Sequence, residues 1–390
     1  MKVLVLGGAG AMGQVIVRDL LQWADIDRVS IGDVDLSRAQ RFAKQLATAQ
    51  VKPVKVDARD RGALDGLLNR HDVVVNSTWY ELNLEIMAAS IRAGTPYCDL
   101  GGLYHVTLRQ LTLDHAARDA GVACIVGIGS TPGTMNVMAA HAAAAVDRIE
   151  KVRLRSGSAV VGSRHSDSFQ SPYSIRTVLD EFTLPAVVLK NGAIQEMPAL
   201  SGKERFVLPA PVNEVEGYYT LHSELATLPE NLGKGVKDMD FIVAYPPDFT
   251  RTVTLLVKMG LASKEKLTAG GAQVRPYDVL AAAIESTKGE EQELDIDVQR
   301  VEIYGRRRGK PVLLRIDSIS KPKSAWRVGG GTVGTGTPPS IAAQWLANGR
   351  IAARGVVPPE LCIEPLPFFK ELRRRGIRTY EYRDGAPRLL

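Results

Sequence analysis

The chain has 390 residues, 45% hydrophobic and 24% charged, with no apolar run of about 18 residues; this argues against a membrane span and for a globular protein of two domains. Cys98, Cys124 and Cys362 lack CxxC spacing, so neither a disulfide framework nor a metal site is expected, and a reducing cytoplasmic setting fits. Lysine and arginine number 49 against 43 acidic residues, a net charge of +6, and the basic runs at 305–310 and 372–376 have no stacking aromatics beside them, so no nucleic-acid partner is expected.

The N-terminal stretch "MKVLVLGGAGAMGQVIVRDLL" runs directly into an apolar segment, and no signal peptide is expected. From there strand and helix patterns alternate. Strand-like runs lie at 2–7, 28–33, 52–58, 72–78, 96–100 and 122–129. Helical patterns lie at 11–23, 36–47, 61–70, 83–94 and 108–121. This rhythm predicts an α/β fold, a Rossmann doubly wound parallel sheet over residues 1–130. Residues 131–330 mix strand candidates (151–159, 186–192, 240–246, 299–307, 311–320) with helices at 174–182 and 276–287, which predicts a second α+β domain with a mixed sheet. The last two strand runs, joined by "RGK", suggest a hairpin. A Gly/Thr-rich run then leads into a helix, with Pro338 and Pro339 suited to its first turn.

The glycine loop Gly8-Ala9-Gly10-Ala11-Met12-Gly13 follows a strand and opens a helix, the setting in which GxGxxG binds a dinucleotide. Gly8 suits the tight turn, Gly10 the approach of a pyrophosphate, Gly13 the packing of helix on strand, and Ala11 and Met12 begin a helix whose amides face the phosphates. Asp33 lies about 20 residues past Gly13, at the end of the second strand, where a carboxylate meets the ribose hydroxyls. Val34 cannot balance a 2′-phosphate and Arg38 is expected to turn into the next helix, so NAD is favoured over NADP. Asn76, Ser77 and Thr78, after the fourth strand, are candidates to line the cofactor's path, or equally to cap the next helix; Tyr80 projects further, towards a substrate.

"YCDLGG" ends the fifth strand. Its Asp99 is either a cleft acid beside Gly101 and Gly102, able to meet a substrate ammonium, or a structural aspartate bonded to its own loop amides. "GSTPGTMN" ends the sixth strand, and Asn136 there is a substrate contact or a helix-cap residue. His222 with Glu224 forms a candidate proton acceptor, against the bland reading of a structural histidine. Arg176 and Arg251 are candidate clamps for a substrate carboxylate, against that of surface arginines.

The motifs "KVLVLGGAGAMG", "IGDVD", "DVVVNSTWYELN", "YCDLGG" and "GSTPGTMN", with "LDEFTLPAVVLKNGAIQEMPAL" and "SIAAQWLANGRIAARGVVPPE" further on, resemble the saccharopine dehydrogenase family, and within it the lysine 6-dehydrogenase branch. The resemblance implies residues 331–390 returning to the Rossmann domain, a homodimer, and hydride transfer at a carbon–nitrogen bond of an amino acid. It carries Gly8, Gly10, Gly13 and Asp33 over as cofactor residues, and Asp99 and Asn136 as cleft residues. The expected activity is oxidative deamination of a lysine side-chain amine with NAD. The alternatives are a saccharopine or carboxynorspermidine dehydrogenase type, or a non-catalytic NAD-binding protein of the same fold.

Overall fold

The structure, a computed structural model, describes residues 1–22, 26–161, 169, 171–286, 294–383 and 386–390. Trp23 and Thr287, the expected ends of two helices, lie outside the described residues. The first half runs β1 (Lys2–Leu6), α1 (Ala11–Leu20), β2 (Arg28–Asp33), α2 (Leu36–Leu46), β3 (Val51–Lys55), α3 (Arg61–Leu68), β4 (Val73–Asn76), α4 (Asn83–Ala93), β5 (Tyr97–Asp99), α5 (Tyr104–Leu111), α6 (Asp114–Asp119), β6 (Ala123–Ile125) and α7 (Thr134–Ala144). The middle runs β7 (Arg148–Val160), α8 (Ile175–Thr183), β8 (Ala186–Lys190), β9 (Ala193–Met197), β10 (Glu204–Val207), β11 (Glu214–Tyr219), α9 (Leu228–Leu232), β12 (Asp238–Ala244), α10 (Pro247–Lys258), β13 (Leu267–Ala269), β14 (Ala272–Val274) and α11 (Pro276–Ser286). Then follow β15 (Asp295–Arg307), β16 (Lys310–Ser320), α12 (Gly330–Ala347), β17 (Gly355–Val357), α13 (Pro359–Cys362), α14 (Pro365–Arg374), β18 (Arg378–Arg383) and β19 (Ala386–Leu389).

The first sheet is parallel throughout, in the order β17-β6-β5-β4-β1-β2-β3. Its central strands are continuous apolar runs because both faces are covered. Val3, Val5, Val73 and Val75 face α1 and α12, while Leu4, Leu6 and Val74 face α3 and α4. The order reverses beside β1, so the crevice at the carboxyl ends of β1 and β4 is where a ligand belongs.

The second sheet is mixed, β10-β11-β12-β7-β15-β16-β18-β19, with β8 and β9 branching from β12. Among the described residues of this sheet, only β7 and β12 pair in parallel. One face, with Val152, Leu154, Val301, Ile303 and Ile316, packs on Met135, Met138 and Ala142 of α7, so a single apolar core joins the two domains. β15 and β16 form the expected hairpin, closed by Arg308 and Gly309, both at positive φ, as a primed two-residue turn requires. A separate cluster of α8, α10 and α11 (Val178, Phe182, Phe249, Ala281) stands over the carboxyl end of β12.

Two expectations are corrected. Pro338 and Pro339 lie inside α12, which starts at Gly330. The glycines before them are there for packing: a Cβ on Gly330 would sit 2.3 Å from the Ser320 carbonyl oxygen, and one on Gly336 would sit 2.7 Å from Val15 of α1. The C-terminal segment also serves both sheets: β17 extends the parallel one, whereas β18 pairs with β16 of the mixed one.

Candidate active site

The glycine loop connects β1 to α1 as a cradle with no room for side chains. Gly7 carries the positive φ of the turn. A Cβ on Gly13 would fall 2.3 Å from the Gly7 carbonyl oxygen, and one on Gly8 would fall 2.8 Å from that of Val5. Gly10 is the N-cap of α1 and no side chain caps the helix start, so its first amides are left for an anion. These features fit the pyrophosphate of a dinucleotide, held by the backbone of Gly10, Ala11, Met12 and Gly13.

Asp33 is 3% exposed and more committed than expected. It accepts hydrogen bonds from the amides of Ala9 (3.2 Å) and Asp35 (3.1 Å), and Arg38 Nη2 lies 3.0 and 3.1 Å from its two oxygens. The expectation that Arg38 simply turns into α2 is corrected. Asp35 caps α2 by accepting from the Arg38 amide, and the Arg38 side chain then runs back towards the helix start, over Asp33.

Several expected cleft residues turn out to be braces. Asn76 is 1% exposed; its amide bonds Asn83 and Tyr97, and its carbonyl takes the Thr78 amide and hydroxyl. Ser77 donates to the Leu6 carbonyl at 2.7 Å, which leaves Ser77 and Thr78 half-buried at the rim of the glycine loop. Asp99 is fully buried and accepts from Tyr97 Oη, Gln110 Nε2 and the amides of Gly101 and Gly127, all within 2.8 Å. Burial raises its pKa while these four donors oppose the rise. With its lone pairs occupied it ties β5 to the loops after β5 and β6 and does not reach a substrate. Gly101, at φ +100°, lies against Pro132. Asn136 accepts from the Gly133 amide and donates to Glu360, which is the cap reading. Arg251 pairs with Asp248 on the exposed face of α10, the surface reading.

The chemistry gathers where the Tyr80–Leu82 turn and α5 of the first domain meet α8, α11 and the Leu261–Glu265 loop of the second. Tyr80 donates to Asp180 Oδ2 at 2.5 Å, Tyr277 donates to the same oxygen at 3.2 Å, and Lys264 Nζ lies 2.7 Å from Oδ1. Burial and the Asp180 charge push both tyrosine pKa values up, so both hydroxyls stay protonated. Lys264 is half exposed, above the Tyr277 ring and 3.8 Å from Glu81. Burial raises the Glu81 carboxyl's pKa, against the pull of Lys264. Arg176 lies against the rings of Trp79 and Tyr277 and pairs with Asp278 at 2.7 Å. His105, at the start of α5, is exposed and within electrostatic reach of Asp180 and Lys264; partial desolvation lowers its pKa, which favours the neutral imidazole.

The next residue, Glu181, accepts from Tyr173 and Tyr245 and faces His222 Nε2 at 3.5 Å. His222 Nδ1 lies 3.0 Å from Glu224, and the ring stacks on Phe241 at 4.0 Å. Burial alone would lower the imidazole's pKa, but Glu224 and Glu181 outweigh it and push it up to about 10. The expected acceptor His222 is therefore a buried imidazolium at neutral pH, and Glu224, fully buried beneath it, is its counter-ion. Sequence reasoning missed Asp180, Glu181, Lys264, Tyr277 and His105. The one signal was the acidic pair inside the amphipathic "LDEF" helix, where two carboxylates would otherwise face the core.

Residues 3–125 match the family model described as saccharopine dehydrogenase NADP binding domain, and residues 129–377 the one described as saccharopine dehydrogenase C-terminal domain. The chain is 21% identical to a carboxyaminopropylagmatine dehydrogenase of Synechocystis over 98% of both chains. It is 23% identical to a carboxynorspermidine synthase of Vibrio cholerae over 73% of this chain and 72% of that one. Apo saccharopine dehydrogenase (L-Glu forming) of Saccharomyces cerevisiae has the same fold, with a TM-score of 0.75 and 19% identity over 98% of this chain and all of that one.

Proposed function

The chain belongs to the saccharopine dehydrogenase family of oxidoreductases, and from that premise we propose that it reduces the imine formed between an amino-acid aldehyde and a di- or polyamine, giving a carboxylated secondary amine. The observation that carries this reading is Lys264, fixed by Asp180 at the cleft rim beside Arg176 and Glu81, with His105 in electrostatic reach. Two cations suit the α-carboxylate of one half of the substrate, and Glu81 suits the remote ammonium of the other. The names of the two relatives support this reading over lysine 6-dehydrogenase, whose substrate brings no second amine half.

The dinucleotide, when bound, supplies or accepts a hydride. This chain's residues do the rest. The glycine loop and the start of α1 hold the pyrophosphate. Asp33 meets the ribose, and Arg38, half exposed above it, cancels the like charge that would repel a 2′-phosphate and gives that phosphate a partner. We therefore take NADP to be the cofactor of choice. In the reducing direction an amine nitrogen condenses with the aldehyde carbon with loss of water, and the C=N bond gains one hydride at carbon and one proton at nitrogen. In the oxidising direction His105, its neutral form favoured by partial desolvation, takes the proton from the secondary ammonium. Tyr80 and Tyr277 keep Asp180, and through it Lys264, in place.

The test is a coupled assay: NADPH oxidation with an ω-aldehyde α-amino acid, with and without agmatine or a short diamine. Oxidation that needs both halves supports the reading; oxidation of free lysine with release of ammonia supports the lysine branch instead.

A further inference from the structure

The basic run at 372–376 has no part in the cleft, yet it lines a cavity. A concavity of about 550 Å³ is formed by Lys321, Pro322, Lys323, Arg373, Arg375, Gly376, Arg378 and Leu389, where the β16–α12 connection meets the end of α14 and the start of β18. A second cavity of about 230 Å³ shares Lys321, Gly376 and Arg378 with the first and is walled by Ile296, Ile319, Tyr380 and Pro211. The two adjoin at these shared residues, the first a cationic mouth and the second an annex.

Among the described residues, ion pairs hold several surface arginines but not four of the cations at this mouth. Elsewhere on the surface Arg59 pairs with Asp57, Arg61 with Glu85, Arg92 with Asp65, Arg118 with Asp114 and Arg306 with Glu150. Among the described residues, Lys321, Lys323, Arg373 and Arg378 have no carboxylate within ion-pair distance. Lys323 instead places its ammonium 3.8 Å over the Trp326 ring. Arg375 points inward and is held by Asp19 of α1 and by Glu371. Four cations brought to one concavity repel each other, and a multivalent anion relieves that repulsion at four points.

We propose that this space is a binding site for a small phosphate-bearing polyanion, separate from the dinucleotide cradle and lodged between the mixed sheet and α14. A two-phosphate group matches the four-cation mouth, and an attached ring would enter the annex beside Tyr380. The concave shape favours a small molecule over an extended nucleic acid, which would need a continuous basic stripe.

The experiment is calorimetric titration of the full chain without added dinucleotide, the variants of the mouth separating this site from the glycine loop. The probes are inorganic pyrophosphate, for a free anion, and ADP, for one carrying a ring. Saturable binding of either probe that weakens roughly tenfold or more in Lys321→Ala/Arg378→Ala supports the site, since each lost contact is charge-assisted. Lys321, Arg373 and Arg378 are exposed, so Arg373→Ala, with NADP⁺ affinity as the check on folding, gives a second variant. No saturable binding of either probe, binding undiminished in both variants, or tighter binding of a single-stranded oligonucleotide would each overturn it.

Discussion

Arg38 lies across the carboxylate of Asp33, its Nη2 3.0 Å from one oxygen and 3.1 Å from the other. The acid that would meet a ribose hydroxyl therefore comes with its own guanidinium, which on the proposed reading gives a 2′-phosphate a cation where a bare Asp33 would repel it. Arg38→Ala should weaken NADP binding by roughly ten- to a hundredfold, the range of one charge-assisted bond, and leave NAD little changed. Steady-state KM values for both dinucleotides check this; an equal loss for both would mean that Arg38 only shapes the loop.

His222 is expected to stabilise the fold as a cation. Its folded pKa, about 10, lies above its ordinary value of 6.5. Its contribution is therefore fully present below about pH 6.5, declines as pH rises, and is gone above about pH 10. Removing it leaves Glu181 and Glu224 buried without their cation, a loss of about 3–5 kcal/mol. Urea unfolding of wild type and His222→Gln should show that gap at pH 6 and a much smaller one at pH 10. A gap that grows with pH would contradict the imidazolium assignment.

His105 should set the acid limb of the oxidative reaction. Its pKa is lowered by partial desolvation, which favours the neutral, proton-accepting form. The acid limb of kcat/KM for amine oxidation should lie lower than an ordinary imidazole would set it, and His105→Gln should lower kcat and flatten the limb. An unchanged limb in the variant would remove His105 from proton transfer.

Asp99→Asn should damage the fold and not the chemistry. The new amide would face four donors where the carboxylate accepted them all. A loss of roughly 2–3 kcal/mol is expected by urea unfolding, with kcat per folded molecule within a few-fold of wild type. A large fall in kcat with stability intact would restore Asp99 to the reaction.

The Rossmann half was readable because its signals are local. A glycine loop between strand and helix, an acid at the end of the second strand and regular apolar runs each lie within about 20 residues. The cleft was not. Asp180 takes its partners from positions 80, 264 and 277, and Glu181 from 173, 222 and 245, so no window of sequence contains the constellation. Asp99 misleads for the opposite reason. A strand-end aspartate before two glycines reads as an open site, but Gln110 and the Gly127 amide close it from distant segments. Pro338 and Pro339 read as a helix start because a proline's cost inside a helix is local, whereas the packing of Gly330 and Gly336 that carries α12 through them is not.

Lys264 tests the account most directly. With NADPH, an amino-acid aldehyde and agmatine or a diamine, mass spectrometry of the product and the KM for the aldehyde are measured for wild type and Lys264→Ala. The account predicts a carboxylated secondary amine from wild type, and in the variant a KM for the aldehyde raised roughly tenfold or more with NADPH binding unchanged. Ammonia released from free lysine with no coupled product, or a Lys264→Ala enzyme with wild-type KM, would contradict it.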